Sequence, residues 1–472
     1  MKSFTAFILF TSLSSSIGFL STEQEATLDN LINSVIQRPN RIPGLGISIV
    51  KQITGEENYS VFTKGYGNSD VEYAVPVFNN TRFLIASISK SFTATVTCKF
   101  LHDTFPQHGE SVLDIPIVQL APNYQFVLSD SRFRYIQEKC GFRSRFEYSN
   151  NMIILAGEIV SHLSGAIPFD DMVRNLFERL GMDDSLIVDA VTDYETLSRM
   201  SRGYYLMPDG ILRKLNATHY NGNSGAASGG VISTLLDMAK YMEFHLNEGM
   251  INGIQVVPKE VMQWLRSPSN FVEFTGWRLS DSGERGSGNF AYGLGLDLGI
   301  HRGWQRIAHD GDLSPFTARM SLFPVKKLGV FSFSNGPGPL PFQSGHEFLG
   351  NQVFDLIENQ LEEKQFDKAF TNRKPEKAIN CKVRTDPKRP KIQASELAGV
   401  YGHPYEGLFQ VMYDGNASTP LSLQYGKRGT GLLSETEETN IYKIEWFGEI
   451  LSLFYSYNGG QPLLDTLLQL HH

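Results

Sequence analysis

Apolar and polar positions along the chain pass through three regimes. Near the start, residues 22–40 carry a helical repeat. IPGLGISIVKQ (42–52) and ENYSVFTKGYG (57–67) then read as a pair of strands turning at Thr54-Gly55. From about 87 to 265 helical patterns dominate. Ile88, Phe92, Val96 and Phe100 recur every four residues, a stripe that predicts a buried helix. NNMIILAGEIVSHLSG (150–165) is apolar on more than one side, which predicts a second buried helix with Gly165 as its C-cap. STLLDMAKYMEFHLNEG (233–249) predicts an amphipathic helix ended by glycine. From about 290 the pattern becomes that of strands: YGLGLDLGI, WQRIAHDGD, FTARMSLFP and LGVFSFSN. GPGPLP (336–341) stops the run, and EFLGNQVFDLIENQLEE closes it with a helix. Strands early and late with helices between them predict one α+β domain over residues 22–360, its sheet joining the two ends of that stretch.

Residues 361–391 change character. They are rich in charge and proline and poor in apolar residues, as a linker is. A basic stripe for an acidic partner is the sharper reading, but charge runs are more often solvated connectors. Beyond it, ELAGVYGHPYEGLFQVMYDG and YKIEWFGEILSLFYSY alternate aromatic with polar residues, which predicts a small antiparallel β domain over 392–472. There are no internal repeats.

The 472 residues are 41% hydrophobic and 19% charged, enough apolar material for a large core. A net charge of −8 argues against a nucleic-acid binder, which needs a basic face. Residues 1–18 read as an export signal: Lys2, a short apolar FTAFILFTSL, then small residues up to Gly18. No stretch approaches the ~20 apolar residues of a membrane span. The expectation is a secreted, extracellular protein with no transmembrane segment. Sequons at Asn58, Asn79, Asn216 and Asn416 agree with export as candidate glycosylation sites. Three cysteines allow at most one bridge. Cys98 lies in the predicted helix as a core thiol, and a Cys140–Cys381 pair stays open.

Candidate chemistry begins in RFLIASISKSFTA, where Ser87 and Lys90 stand three apart on one helix face. Ser-x-x-Lys alone is common by chance. Here, however, apolar neighbours bury the lysine, and burial with the positive helix end drives an ammonium toward neutral. A neutral lysine beside a serine is a base beside a nucleophile. FEYSNNM adds Tyr148, able to relay a proton, and Asn150, able to hold Lys90 and a substrate carbonyl. AHDGD adds His309 and Gly311 on a strand, the glycine clearing an edge where substrate can lie. There is no His-Glu-x-x-His zinc motif, P-loop or Gly-x-Ser-x-Gly elbow, so no metal or cofactor is expected.

These blocks, with AASGGVISTLLDMAKYM, YGLGLDL and HDGDLSPF, resemble in type and order the serine β-lactamase-related family over about residues 25–360. That is the class C β-lactamase, penicillin-binding protein and esterase group, peptidase S12-like. The chain is most similar to the secreted eukaryotic branch, with His-x-Gly as its third motif. ELAGVYGHPYEG resembles the start of the lipocalin-like β domain that follows in that branch. The resemblance implies an antiparallel sheet flanked by helices, with a helical subdomain. It implies Ser87 as the acylated nucleophile, with Lys90 and Tyr148 sharing the proton work. Asn150, His309 and Gly311 would hold substrate, and the backbone N–H groups of Ser87 and Asp312 would form the oxyanion hole. Two departures stand out. The block that the family carries between FVLSD (126–130) and SRFRYIQ (131–137) is absent, so Ser87 and Tyr148 lie closer in sequence. His309 replaces a lysine, and a neutral imidazole binds a carboxylate poorly.

The expected function is a secreted serine hydrolase acting on small-molecule or peptide esters or amides. The alternative is a catalytically weak or inactive relative with a structural or binding role in an extracellular matrix, including a mineralised one. A peptidase for D-amino-acid peptides would use the same residues.

Overall fold

A computed structural model of the chain describes residues 19–36, 42–53, 55, 58–122, 145–188, 196–197, 199–206, 211–214, 225–272, 287–313, 315–336, 342–360, 393–403, 407–415, 421–425, 429–435, 441–447 and 466–469. The stretches read as an export signal (1–18) and a linker (361–391), the segment near 126–137, Cys140, Cys381, Asn216 and Asn416 all lie outside these residues.

Among the described residues, nine strands form one antiparallel sheet. In chain order they are β1 (Gly44–Gln52), β2 (Tyr59–Asp70), β3 (Val75–Pro76), β4 (Asn270–Phe271), β5 (Ser287–Tyr292), β6 (Asp297–His301), β7 (Trp304–Leu313), β8 (Phe316–Phe323) and β9 (Leu328–Ser334). Their order across the sheet is β4-β5-β6-β7-β8-β9-β1-β2-β3. β1 pairs with β9 on one side and β2 on the other, so the first and last strands of the domain meet at its centre. β1 is buried on both faces from Gly44 to Val50, as a strand covered by helices on each side must be.

Alternation along β1 splits the core in two. Leu45, Ile47 and Ile49 join a cluster with α1 (Thr22–Ile36) and a C-terminal helix (Phe342–Ile357). Val50 faces the larger cluster, built with α2 (Ser89–Thr104), α3 (Asn150–Leu163), α4 (Phe169–Leu180), α5 (Ala226–Gly229), α6 (Leu235–Leu246) and α7 (Lys259–Arg266). The helix 342–357 is α8. Gly46 is required where these layers meet. A Cβ there would fall 2.4 Å from the Phe333 ring, which stacks on Phe83.

Two expected elements differ. YGLGLDLGI is not one strand, because β5 ends at Tyr292 and β6 starts at Asp297. Gly295 adopts φ +70 in the turn between them, and a Cβ there would fall 2.6 Å from the Lys90 carbonyl oxygen. Gly295 therefore serves a tight turn against α2, not a strand. The second concerns α3, which is buried only at Gly157 and Val160, while Met152 is 61% exposed. It meets α2, α5 and α4, and apart from Met152 its remaining apolar residues are half-buried. Six further antiparallel strands between Gly399 and Gln469 form a separate sheet in simple sequential order, with Val411, Leu421, Leu423 and Leu433 buried. Among the described residues, no helix is long and apolar enough to cross a membrane.

Candidate active site

Ser87 sits in a 3₁₀ turn, Ala86–Ile88, that runs directly into α2. The turn is held in an uncommon backbone state: Ala86 has φ +48, a left-handed value that costs a residue with a Cβ. Two clamps hold it there. On one side Ser89 Oγ donates to the Ala86 carbonyl at 2.5 Å and accepts from Val231 N–H at 2.9 Å. On the other side lies Gly311 of β7, where a Cβ would fall 2.1 Å from the Ile85 carbonyl oxygen. The glycine admits the nucleophile's turn against the sheet.

One helical turn on, Lys90 is 1% exposed. Its Nζ lies 2.8 Å from Ser87 Oγ and donates to the Ser228 carbonyl at 2.7 Å. Thr93 Oγ1 donates to the next carbonyl, Ala227, at 2.5 Å, so two bonds tie α2 to α5. Burial holds Lys90 well below the usual lysine range. Tyr148 caps the pair, its ring centroid 4.8 Å from Lys90 Nζ and its hydroxyl hydrogen-bonded to Ser87. Burial is the main cause of its raised pKa, with the charges of Asp297, Asp310 and Asp312 adding to it. Tyr148 is therefore a protonated phenol at neutral pH, and Lys90 is the group able to accept a proton. Asn150 opens α3 two residues later, behind the N-cap Ser149, whose side chain accepts from Met152 N–H.

β7 supplies the third side. Its alternation turns His309 and Gly311 toward Lys90 and the Ser87 turn. Asp310 points to the other face, where it pairs with Arg319 at 2.6 Å, and Asp312 follows the same alternation. His309 is buried and held down to about 3, chiefly by burial and then by Lys90. Its Nδ1 lies 2.6 Å from the Asp310 carbonyl and its Nε2 lies 2.8 Å from the Tyr292 hydroxyl.

The structure therefore brings Ser87, Lys90, Tyr148 and His309 together around one point, with Gly311 behind them. The Ser228 carbonyl and Tyr292 were not picked out as site residues from the sequence. Both sit in blocks quoted above, AASGGVISTLLDMAKYM and YGLGLDL, and order along the chain was the signal that could have found them. Among the described residues, no group of histidine, cysteine, aspartate and glutamate is arranged to hold a metal. Cys98 is a buried thiol pushed up to about 12 by burial, and Asn58 and Asn79 are exposed.

A β-lactamase family model matches residues 122–353. These include Tyr148, His309 and Gly311. Among characterised proteins, the chain is 23% identical over 442 residues to an unguisins hydrolase of Aspergillus violaceofuscus, covering 79% of this chain and 74% of that protein. A second unguisins hydrolase, from Aspergillus campestris, is 21% identical over 369 residues and matches 69% of this chain and 64% of its own length. Among solved structures, the fold is similar to an octameric penicillin-binding protein homologue from Pyrococcus abyssi. The TM-score is 0.55 and the identity 21%, with 90% of this chain and 94% of that one covered. It is also similar to a D-amino acid amidase from Ochrobactrum anthropi, with TM-score 0.53, identity 20%, and coverage of 71% of this chain and 99% of that one.

Proposed function

We propose that this chain, which belongs to the serine β-lactamase-related family of hydrolases, hydrolyses small esters or amides through an acyl-enzyme on Ser87. The observation that carries the proposal is a buried amine, with no carboxylate pairing it among the described residues, 2.8 Å from a serine hydroxyl in a strained turn. The Lys90 amine takes the Ser87 proton as Oγ bonds to the carbonyl carbon. The negative charge on the carbonyl oxygen falls toward the backbone N–H groups of Ser87 and Asp312. Tyr148, kept protonated, gives its proton to the leaving oxygen or nitrogen and regains one from the Lys90 ammonium. Water then attacks the acyl-enzyme, its proton passing to Lys90 and on to Ser87 as the ester bond breaks. Asn150 steadies Lys90 and the substrate carbonyl.

An amide substrate is the reading favoured by the likeness to a protein named a D-amino acid amidase, and the unguisins hydrolases agree with hydrolysis in general. Secretion is part of the proposal and rests on the reading of residues 1–18 and on exposed sequons at Asn58 and Asn79.

The test is intact mass after exposure of the secreted protein to a fluorophosphonate, alongside Ser87→Ala. One adduct, lost in the variant, is expected. No adduct on folded protein would overturn the hydrolase reading and leave a role in an extracellular matrix.

A further inference from the structure

His309 lies on the wall where substrate would meet the sheet, and its state of protonation is set by two neighbours. A carbonyl oxygen can only accept, so the Asp310 carbonyl, 2.6 Å from Nδ1, places the ring proton on Nδ1. Nε2 is then a lone pair, and the Tyr292 hydroxyl at 2.8 Å donates to it. Tyr292 is itself 8% exposed and fixed by aromatic contacts. Its ring centroid lies 5.1 Å from Phe146, 6.2 Å from Tyr148 and 5.8 Å from His309. Both ring nitrogens of His309 are therefore committed within the protein, and neither offers a proton to a ligand.

Burial is the main cause of the neutral ring; Lys90 from α2 and Arg319 from β8 also disfavour a protonated imidazole, against the hydrogen bond to the Asp310 carbonyl, which favours it. Tyr148 and Tyr292 are both kept as phenols by burial and by nearby carboxylates, Asp297 among them. A substrate carboxylate brought to this wall would meet a lone pair already occupied and a neutral ring.

We propose that Tyr292 is a specificity-determining positioning residue: by donating to His309 Nε2 it fixes a neutral wall that rejects substrates carrying a carboxylate beside the scissile bond and admits neutral or amine-bearing esters and amides. This rests on the hydrolase reading above for its substrate consequence. The Tyr292–His309 hydrogen bond does not depend on that reading.

The first measurement is ¹⁵N NMR of the imidazoles in the full chain, with the His309 signals identified by their absence in His309→Gln. The expected wild-type state is Nδ1–H with an unprotonated Nε2 that persists on acidification to pH 5. An Nε2–H tautomer, or protonation near pH 6.5, would overturn the proposal without any variant at Tyr292. In Tyr292→Phe, loss of one hydrogen bond to the neutral ring makes protonation about tenfold easier and moves the titration up by about one pH unit. An unchanged titration in a folded variant would also overturn it.

The second measurement compares kcat/KM for p-nitrophenyl butyrate with that for the p-nitrophenyl monoester of glutaric acid, which adds a carboxylate. Wild type should prefer the neutral ester at least tenfold, and Tyr292→Phe should narrow that ratio only as the pH falls to about 4, one unit above the wild-type value of about 3, while leaving it wide at pH 8. Equal use of both esters by wild type would overturn the specificity role. If wild type hydrolyses neither, the hydrolase reading fails, and the imidazole spectrum alone decides the Tyr292–His309 assignment.

Discussion

The two faces of strand β7 bury ionisable groups to the same depth and treat them oppositely. On the site face, Lys90 is 1% exposed and His309 is 3% exposed, and burial pushes both toward the neutral form. On the α8 face, Arg306 and Arg319 are 0% and 2% exposed, and both are ion-paired. Arg306 meets Glu347 at 2.6 Å and the side chains of Asn351 and Asn289, and Arg319 meets Asp310 at 2.6 Å. Depth is therefore not what decides. An arginine remains charged at any accessible pH, so its burial has to be accompanied by carboxylates and amide oxygens. A lysine can lose its proton, and burial beside a carbonyl and a hydroxyl, with no carboxylate pairing it among the described residues, drives Lys90 that way. One face uses burial to strip charge for chemistry, and the other holds charge to join sheet and helix.

The largest expected break in this contrast comes from removing one buried ionisable group on each side. Glu347→Gln leaves Arg306 and part of Arg319 buried without their counter-ion. It should cost about 3–5 kcal/mol of stability, read as a fall in the urea midpoint. Lys90→Met removes a group that is already neutral and of similar size. It should move stability by less than ~1 kcal/mol while lowering acylation by about 10²–10⁴-fold. Equal destabilisation by the two substitutions would mean that Lys90 is charged in the folded protein.

Gly311→Ala is the next largest. Its Cβ collides with the Ile85 carbonyl and pushes the Ser87 turn off the sheet. A loss of about 1–3 kcal/mol is expected, together with about a hundredfold slower labelling of Ser87, because a nucleophile displaced by ~1 Å reacts poorly. Unaltered labelling would mean that the turn is not seated on β7.

The smallest effect sharpens the boundary between the faces. Asp297 is pushed up to about 7 by burial and by Asp310, against the pull of Arg319 and Arg306. A carboxyl with a raised folded pKa adds stability at low pH that is lost as pH rises through that value, from about 4 to about 7. Asp297→Asn should therefore raise Tm by about 2 °C at pH 8 and much less at pH 4. A gain of the same size at both pH values would show that the carboxyl is ionised throughout.

Much of this arrangement was legible in the sequence wherever partners are close along the chain. The four-residue stripe from Ile88 to Phe100 foretold a buried α2, and the three-residue step from Ser87 to Lys90 foretold their contact, which the structure gives as 2.8 Å. The strand pair at Thr54-Gly55 is β1 and β2 in antiparallel register. What stayed hidden depends on pairing between distant segments. The Ser228 carbonyl reaches Lys90 from 138 residues away, and Tyr292 reaches His309 across the β5-β6-β7 hairpins. No local period reports such contacts. The same limit explains Gly311: a glycine on a strand announces a close approach but not whose backbone approaches, and here it is that of Ile85. α3 was over-read because an apolar composition does not say how many neighbours a helix has. Only its Gly157 and Val160 stripe meets other helices closely enough to be buried.

The left-handed Ala86 has a consequence for the timing of the reaction. A residue with a Cβ holds φ +48 only because Ser89, Val231 and Gly311 lock the turn on both sides, and those contacts exist before any ligand arrives. The serine's orientation is then a property of folding and not of encounter. In the hydrolase proposed above, the first turnover should therefore show no lag from isomerisation of this turn.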